Sequence, residues 1–171
     1  MNNNELAAYF DKIKSGDKEA FSLVYNDLKK PVYTVALRIV GSKETAEDVT
    51  QEVFLRLFVS LPESSVKNPR AWIFQVARNL SLDALRKKQA VDIEDVSTQI
   101  QDVSDKINQR LDVEAAIASL DLTERVILTL HLNAGLKFSQ VAAIMGLSLS
   151  STYRRYRKAL NTLRRILDGG A

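Results

Sequence analysis

The chain has no cysteine, one histidine and one tryptophan in 171 residues. Without cysteine there is no disulfide scaffold, no thiolate zinc site and no thiol nucleophile. The single imidazole, His131, has no His or Cys companion for a metal centre, and Ser-His-Asp chemistry would hang on it alone. Glycine is scarce (6) and proline scarcer (3), which disfavours a turn-rich all-β fold and favours long helices. Long apolar runs are also missing. The longest purely apolar stretch, 141–145, falls far short of the ~20 residues that cross a bilayer. The opening Met1-Asn2-Asn3-Asn4-Glu5 is polar, with no signal core. The expectation is a cytoplasmic chain with no direct membrane insertion.

What is present is an ordinary globular balance, 46% hydrophobic and 26% charged. The net charge of +3 is too small to argue nucleic-acid binding, but its distribution is uneven. Residues 1–89 carry 14 basic and 11 acidic side chains, 90–112 carry 2 and 6, and 113–171 carry 8 and 4. The middle stretch is rich in Gln, Ser and Asp, lacks aromatic residues, and reads as a linker. The expected organisation is all-α: two small helical domains, 1–89 and 113–171, joined by a flexible acidic linker, 90–112.

Helical periodicity runs through both blocks, and no segment sustains the period-two alternation of a strand. In the first block helices are expected over 4–14, 17–29, 31–41, 43–59 and 69–88. Pro31 suits a first helical turn, and Ser42 suits a cap. In the second block they are expected over 113–120, 123–134, 138–145 and 150–167. The pair 138–145 and 150–167 has helix-turn-helix spacing. Val141, Ile144 and Met145 give an apolar face, Ala142 permits close approach, Gly146 supplies the turn and Leu147 plugs it. On the last helix Thr152, Tyr156, Ala159, Leu160, Leu163 and Leu167 form the expected core stripe. Arg154, Lys158, Asn161 and Arg165 point roughly the other way, flanked by Arg155 and Arg157. Ser150, Ser151, Tyr153 and Arg154, at the amino-terminal turns, are positioned to meet base edges or phosphates.

Two further faces lie in the first block. On 43–59, Val49, Val53 and Leu57 read as core, while Asp48, Gln51, Glu52 and Leu55 recur at i, i+3, i+4 and i+7. That acidic stripe with an embedded Leu is either a solvated face or a dock for a basic protein partner. On 69–88, Ile73, Val76, Ala77, Leu80 and Ala84 read as core. Trp72, Gln75, Asn79 and Arg86 share another face, with Arg70, Arg78, Lys87 and Lys88 around it. A ring, amides and cations together suit unstacked bases and their phosphates. The competing reading is a core Trp beside solvated cations.

With these motifs in order, the chain resembles a bacterial RNA polymerase sigma factor of the extracytoplasmic-function (ECF) group. The resemblance rests first on Ala46-Glu47-Asp48-Val49-Thr50-Gln51-Glu52-Val53-Phe54-Leu55-Arg56-Leu57-Phe58. It rests next on Asn68-Pro69-Arg70-Ala71-Trp72-Ile73-Phe74-Gln75-Val76-Ala77-Arg78-Asn79-Leu80, continuing to Lys87. The third carrier is 120–165 with its helix-turn-helix. The resemblance implies a two-domain promoter-specificity subunit, not an enzyme, with no cofactor or metal. Its partners would be core polymerase, through the β′ clamp helices and the β-flap, promoter DNA as duplex and melted strand, and an anti-sigma factor. It assigns Asp48, Gln51, Glu52 and Leu55 to polymerase docking. Ser64, Lys67 and Asn68, in a base-capturing loop, and Arg70, Trp72, Gln75, Arg78, Asn79, Arg86 and Lys87 fall to the minus-ten element. Ser150, Ser151, Tyr153, Arg154, Arg155, Arg157 and Lys158 fall to the minus-thirty-five element. The recognition helix departs from the family pattern at Tyr153, where a basic residue is common, and at Tyr156, where an aliphatic is. The alternative from the residues is a helix-turn-helix regulator that acts without polymerase. A helical metal enzyme using Glu47, Asp48 and Glu52 is a more distant one.

Overall fold

The computed structural model describes residues 1–61, 66–92 and 108–169. Among them are eight α-helices and no strand. Four form an amino-terminal bundle: α1 (Asn3–Lys14), α2 (Lys18–Val40), α3 (Lys43–Val59) and α4 (Pro69–Asp92). Four form a carboxy-terminal one: α5 (Asn108–Ala118), α6 (Leu122–Leu132), α7 (Phe138–Met145) and α8 (Leu149–Leu167). The loop residue Ser64 and the central part of the acidic stretch lie outside the described residues.

Local chemistry starts most of these helices. Asn2 and Glu5 close a reciprocal capping box on α1, each side chain accepting from the other's backbone N–H at 2.9 Å. Asp17 caps α2 through the N–H groups of Glu19 and Ala20, and Asp121 caps α6 through those of Thr123 and Glu124. Ser42 caps α3, as its position predicts. Asn68 accepts from Ala71 N–H at 3.2 Å just before Pro69, which needs no N–H at the first helical position. Gly146 ends α7 at φ 65°, a left-handed conformation that turns the chain toward α8 without Cβ strain. Buried Thr50 and Ser81 return their hydroxyl protons to carbonyls one turn back, those of Ala46 and Ala77, both at 2.7 Å.

Pro31 does not begin a helix; it sits inside α2. The sequence reading placed a break at 29–31. The apolar stripe Val24, Leu28, Val32, Val35, Ala36 and Ile39 passes straight through and is buried along its whole length. An interior proline costs about 3 kcal/mol, whereas each fully buried Val or Leu contributes roughly 1.5–3 kcal/mol, so continuity wins. The lost hydrogen bond falls on the carbonyl of Asp27, an exposed residue that water reaches. Two expected core positions on α8 also differ: Leu160 and Leu167 are 39% and 45% exposed. Leu160 follows fully buried Ala159 by about 100° around the helix, so it cannot share that face, and Leu167 lies in the last turn.

The two bundles pack on each other. Ile127, Leu130, Ala134, Leu136, Val141 and Ile144 from the second bundle belong to one buried cluster with the core of α1–α4. A smaller cluster of Ile117, Leu120, Leu128 and Ala159 ties α5, α6 and α8 together. Replacing Pro31 by Ala restores the missing donor in mid-helix. The expected outcome is a stabilisation of about 1–3 kcal/mol in urea denaturation; a destabilised variant would place a functional kink there.

Candidate nucleic-acid interface

On α3, Asp48, Gln51 and Leu55 are exposed and Glu52 is half-buried, so the stripe forms one accessible face. Leu55 is 55% exposed beside its polar neighbours. Glu52 accepts from Arg56 Nε at 2.9 Å. An exposed i,i+4 pair of this kind contributes only about 0.3–0.5 kcal/mol, so a partner's cation displaces it easily. A groove lined by Tyr25, Lys29, Tyr33, Glu47 and Gln51 opens alongside, between α2 and α3. Sequence reasoning assigned no role to Tyr25 or its lysine neighbours.

On α4 the expected residues separate. Gln75, Asn79, Arg86 and Lys87 are exposed. Arg86 meets Asp83 at 3.4 Å, and both side chains are largely in water, a weak tie. Arg78 is half-buried, its Nε has no partner, and its Nη1 donates to Asn79 Oδ1 at 3.3 Å. Burial first, and the neighbouring Arg86 cation second, lower its pKa from the ordinary value. Trp72 is half-buried, with its ring near-perpendicular to Phe10 at 5.9 Å between centroids, so it helps to hold α1 on α4. Arg70 turns away from this face altogether. Its Nε donates to the Ala134 carbonyl at 2.7 Å, and its Nη1 to the Met1 carbonyl at 3.3 Å. Asn68 is spent partly on capping α4, and Lys67 is exposed.

On α8 a groove lined by Tyr153, Arg154, Arg157, Lys158, Asn161, Thr162 and Arg165 runs along the exposed side. No acidic residue lies in the first turn. Ser148 caps that end, its Oγ accepting from Ser151 N–H at 3.1 Å, and the positive end of the helix dipole favours an anion there. An aromatic stack aligns the three helices. His131 lies on Phe138 at 4.1 Å, Tyr156 meets both edge-on, and Tyr153 meets Phe138 edge-on at 5.4 Å. His131 Nδ1 sits 2.8 Å from the Leu136 carbonyl, which can only accept, so the proton is on Nδ1. The lone histidine is therefore a packing and turn-fixing residue.

Two residues expected on the basic face have other ties. Arg155 is absent from the groove; it is half-buried, and its Nε lacks a partner. Lys158 reaches buried Glu124 at 2.6 Å. Glu124 is 4% exposed, so this ammonium offsets the cost of holding a carboxylate out of water. Sequence reasoning did not single out Glu124. It also missed Arg38, which is embedded between the bundles although it is the one charge in the apolar run 35–40. That lone cation in an apolar stretch was the available signal.

The arrangement is that of a two-part helical reader of nucleic acid: a helix-turn-helix with a basic recognition helix, and a second bundle with a basic helix and a separate acidic face. The Sigma-70 region 2 family model matches residues 24–91, and the Sigma-70 region 4 model matches 110–163. The chain belongs to the sigma-70 family, in its ECF group. It is 25% identical over 177 aligned positions to the ECF RNA polymerase sigma factor SigK of Mycobacterium tuberculosis, covering 96% of this chain and 95% of that one. It is 24% identical to SigW of Bacillus subtilis, covering 91% and 93%. Among solved structures the fold is shared with CnrH in complex with the cytosolic domain of CnrY (TM-score 0.74, 21% identity, 98% and 99% covered). It is shared also with RpoE in complex with the anti-sigma factor NepR from Bartonella quintana (TM-score 0.73, 21% identity, 88% and 98% covered). Among the described residues no helix is long and apolar enough to cross a membrane.

Because Lys158 neutralises a buried carboxylate, its loss acts on folding before it acts on DNA. Lys158→Ala is expected to cost about 1–3 kcal/mol in thermal or urea unfolding. Arg157→Ala, on the same groove, is expected to stay within about 0.5 kcal/mol of the parent.

Proposed function

We propose that this chain docks on core RNA polymerase through Asp48, Gln51, Glu52 and Leu55, and that polymerase then carries its two bundles to the two promoter elements. The acidic stripe with its exposed Leu suits a basic helical partner, which the resemblance identifies with the β′ clamp helices. The apolar side of α6 belongs to the part expected on the β-flap. Region 4 reads duplex at the minus-thirty-five element through Ser150, Ser151, Tyr153, Arg154 and Arg157. Region 2 holds unstacked minus-ten bases against Gln75, Arg78, Asn79, Arg86 and Lys87. The loop that includes Ser64 and Lys67 supplies the pocket for a flipped base, which must recover the few kcal/mol that unstacking costs.

The observation that carries the reading is the coexistence, on one chain of the sigma-70 family, of an accessible acidic and apolar stripe on α3 with basic faces on α4 and α8. A polymerase-independent regulator has no use for that stripe. Acting where polymerase acts, the chain works in the cytoplasm, contributes no bond-making chemistry of its own, and is held in check by an anti-sigma factor. Of the structurally similar proteins, RpoE was solved with the anti-sigma factor NepR and CnrH with the cytosolic domain of CnrY.

Charge reversal at Asp48 and Glu52 together is expected to lower core-polymerase affinity at least tenfold in a fluorescence-anisotropy titration, with folding unchanged; unaltered assembly would remove the docking claim. In holoenzyme, Arg86→Ala should reduce the slope of log affinity against log salt for a single-stranded minus-ten oligonucleotide by about 0.7, and Arg154→Ala should reduce the duplex slope by about 0.9. Slopes identical to the parent would detach those residues from phosphate.

A further inference from the structure

The groove along α8 is lined by two kinds of side chain. Arg154, Arg157, Lys158, Asn161 and Arg165 bring charge and hydrogen-bonding groups, and Tyr153 brings a ring. That ring is 50% exposed, yet it is not a loose surface side chain. It stands near-perpendicular to Phe138, with 5.4 Å between centroids and 85° between planes. Phe138 is held in turn by the rings of His131 at 4.1 Å and Tyr156 at 5.0 Å. His131 is tied to the turn through the Leu136 carbonyl. One side of Tyr153 is therefore braced by the fold, and the rest faces the groove. Leu149, one helical turn earlier on the same side of α8, is 56% exposed. The amino-terminal turns of the helix thus carry an apolar corner at the edge of a basic groove.

We propose that Tyr153 is a specificity-determining residue: its braced ring, with Leu149 beside it, reads the C5-methyl group of a thymine in the major groove of the upstream promoter element. The inference rests on the reading of α8 as a recognition helix and names what one of its residues detects. The chemistry of the base edges carries it. In the major groove guanine, adenine and cytosine are distinguished by donors and acceptors, whereas thymine adds a methyl group. A ring set against a polar edge removes water without replacing its hydrogen bonds, which is costly. Set against a methyl group, it covers apolar surface instead. The cations nearby are suited to other work, binding phosphates or the acceptors of guanine. Tyrosine also has only two side-chain torsions, and contact with Phe138 restrains the ring already, so little freedom is lost when it is seated on a base. Where related recognition helices commonly carry a basic residue, this chain has exchanged a seeker of acceptors for a seeker of methyl groups.

The test uses the full chain in holoenzyme with purified core polymerase. The probe is a pool of duplex promoter fragments with the upstream element randomised, selected by binding and sequenced. The parent is expected to enrich thymine at one position where Tyr153→Ala shows no preference. A selected fragment is then rebuilt with deoxyuridine at that position, which deletes the methyl group and keeps every hydrogen-bonding group. Parent affinity should fall about fourfold, the effect of one buried methyl, while the affinity of Tyr153→Ala does not respond. Cytosine at the same position should gain about fourfold in parent affinity when it is 5-methylated. Tyr153→Phe keeps the ring and should keep the response to the methyl group; its loss would assign the reading to the hydroxyl and overturn the proposal. A parent that does not respond to deoxyuridine at any selected thymine overturns it, as does a response that Tyr153→Ala retains. If Tyr153→Ala unfolds, the methyl probes on the parent and on Tyr153→Phe still decide. Failure of the polymerase reading is seen separately, as absence of core binding. The same selection is then made with the chain alone on duplex, and absence of a thymine preference there overturns the proposal too.

Discussion

The packing of α6 against α2 makes one body of two bundles. A four-helix unit of about 60 residues buries only some 60% of the surface its unfolded chain exposes and is marginal alone. Region 4 improves on this by lending Ile127 and Leu130 to the cluster built by α1–α4. The same contact places a guanidinium, Arg38, where water scarcely reaches and where its partners all come from the other bundle. Apolar burial supplies most of the attraction, and the arginine supplies the register.

Charge is segregated by face. The acidic stripe lies on α3, whereas the cations of α4 and α8 lie elsewhere, so neither face neutralises the other. Each reader by itself is weak: a few exposed arginines, amides and hydroxyls, and one recognition helix with Tyr153 where a basic residue is common. Mounted on one enzyme, the second contact becomes intramolecular, and two modest affinities multiply. The internal tie of Lys158 to Glu124 shows the trade within region 4. A cation on the DNA side is partly spent on holding a buried carboxylate, leaving Arg154 and Arg157 as the freer charges.

Much of this was readable where a local signal and a periodic one agree. Helix α3 has the expected bounds because Ser42 caps it and its stripes hold the 3.6-residue period throughout. Helix α7 and the turn at Gly146 were readable because only glycine takes that conformation freely. Reading failed where long-range packing overrides a local rule. Pro31 argues for a break, yet the buried stripe of α2 runs past it. Arg70 lies on a basic helix, yet its donors go to the other bundle. Trp72 carries a ring suited to stacking on bases, and Phe10 takes part of it. Arg38 offered the opposite case, a cation out of place in an apolar run, whose meaning depends on the facing helix. Periodicity assigns a residue to a face; it does not say which other part of the chain that face meets.

Run-off transcription with purified core polymerase and a library of promoter fragments tests the central claim most directly. A sigma factor of this kind predicts discrete start sites on a subset of fragments sharing two spaced elements, seen only when this chain is added. Transcription no different with and without the chain, from a core enzyme active with another sigma factor, would contradict it.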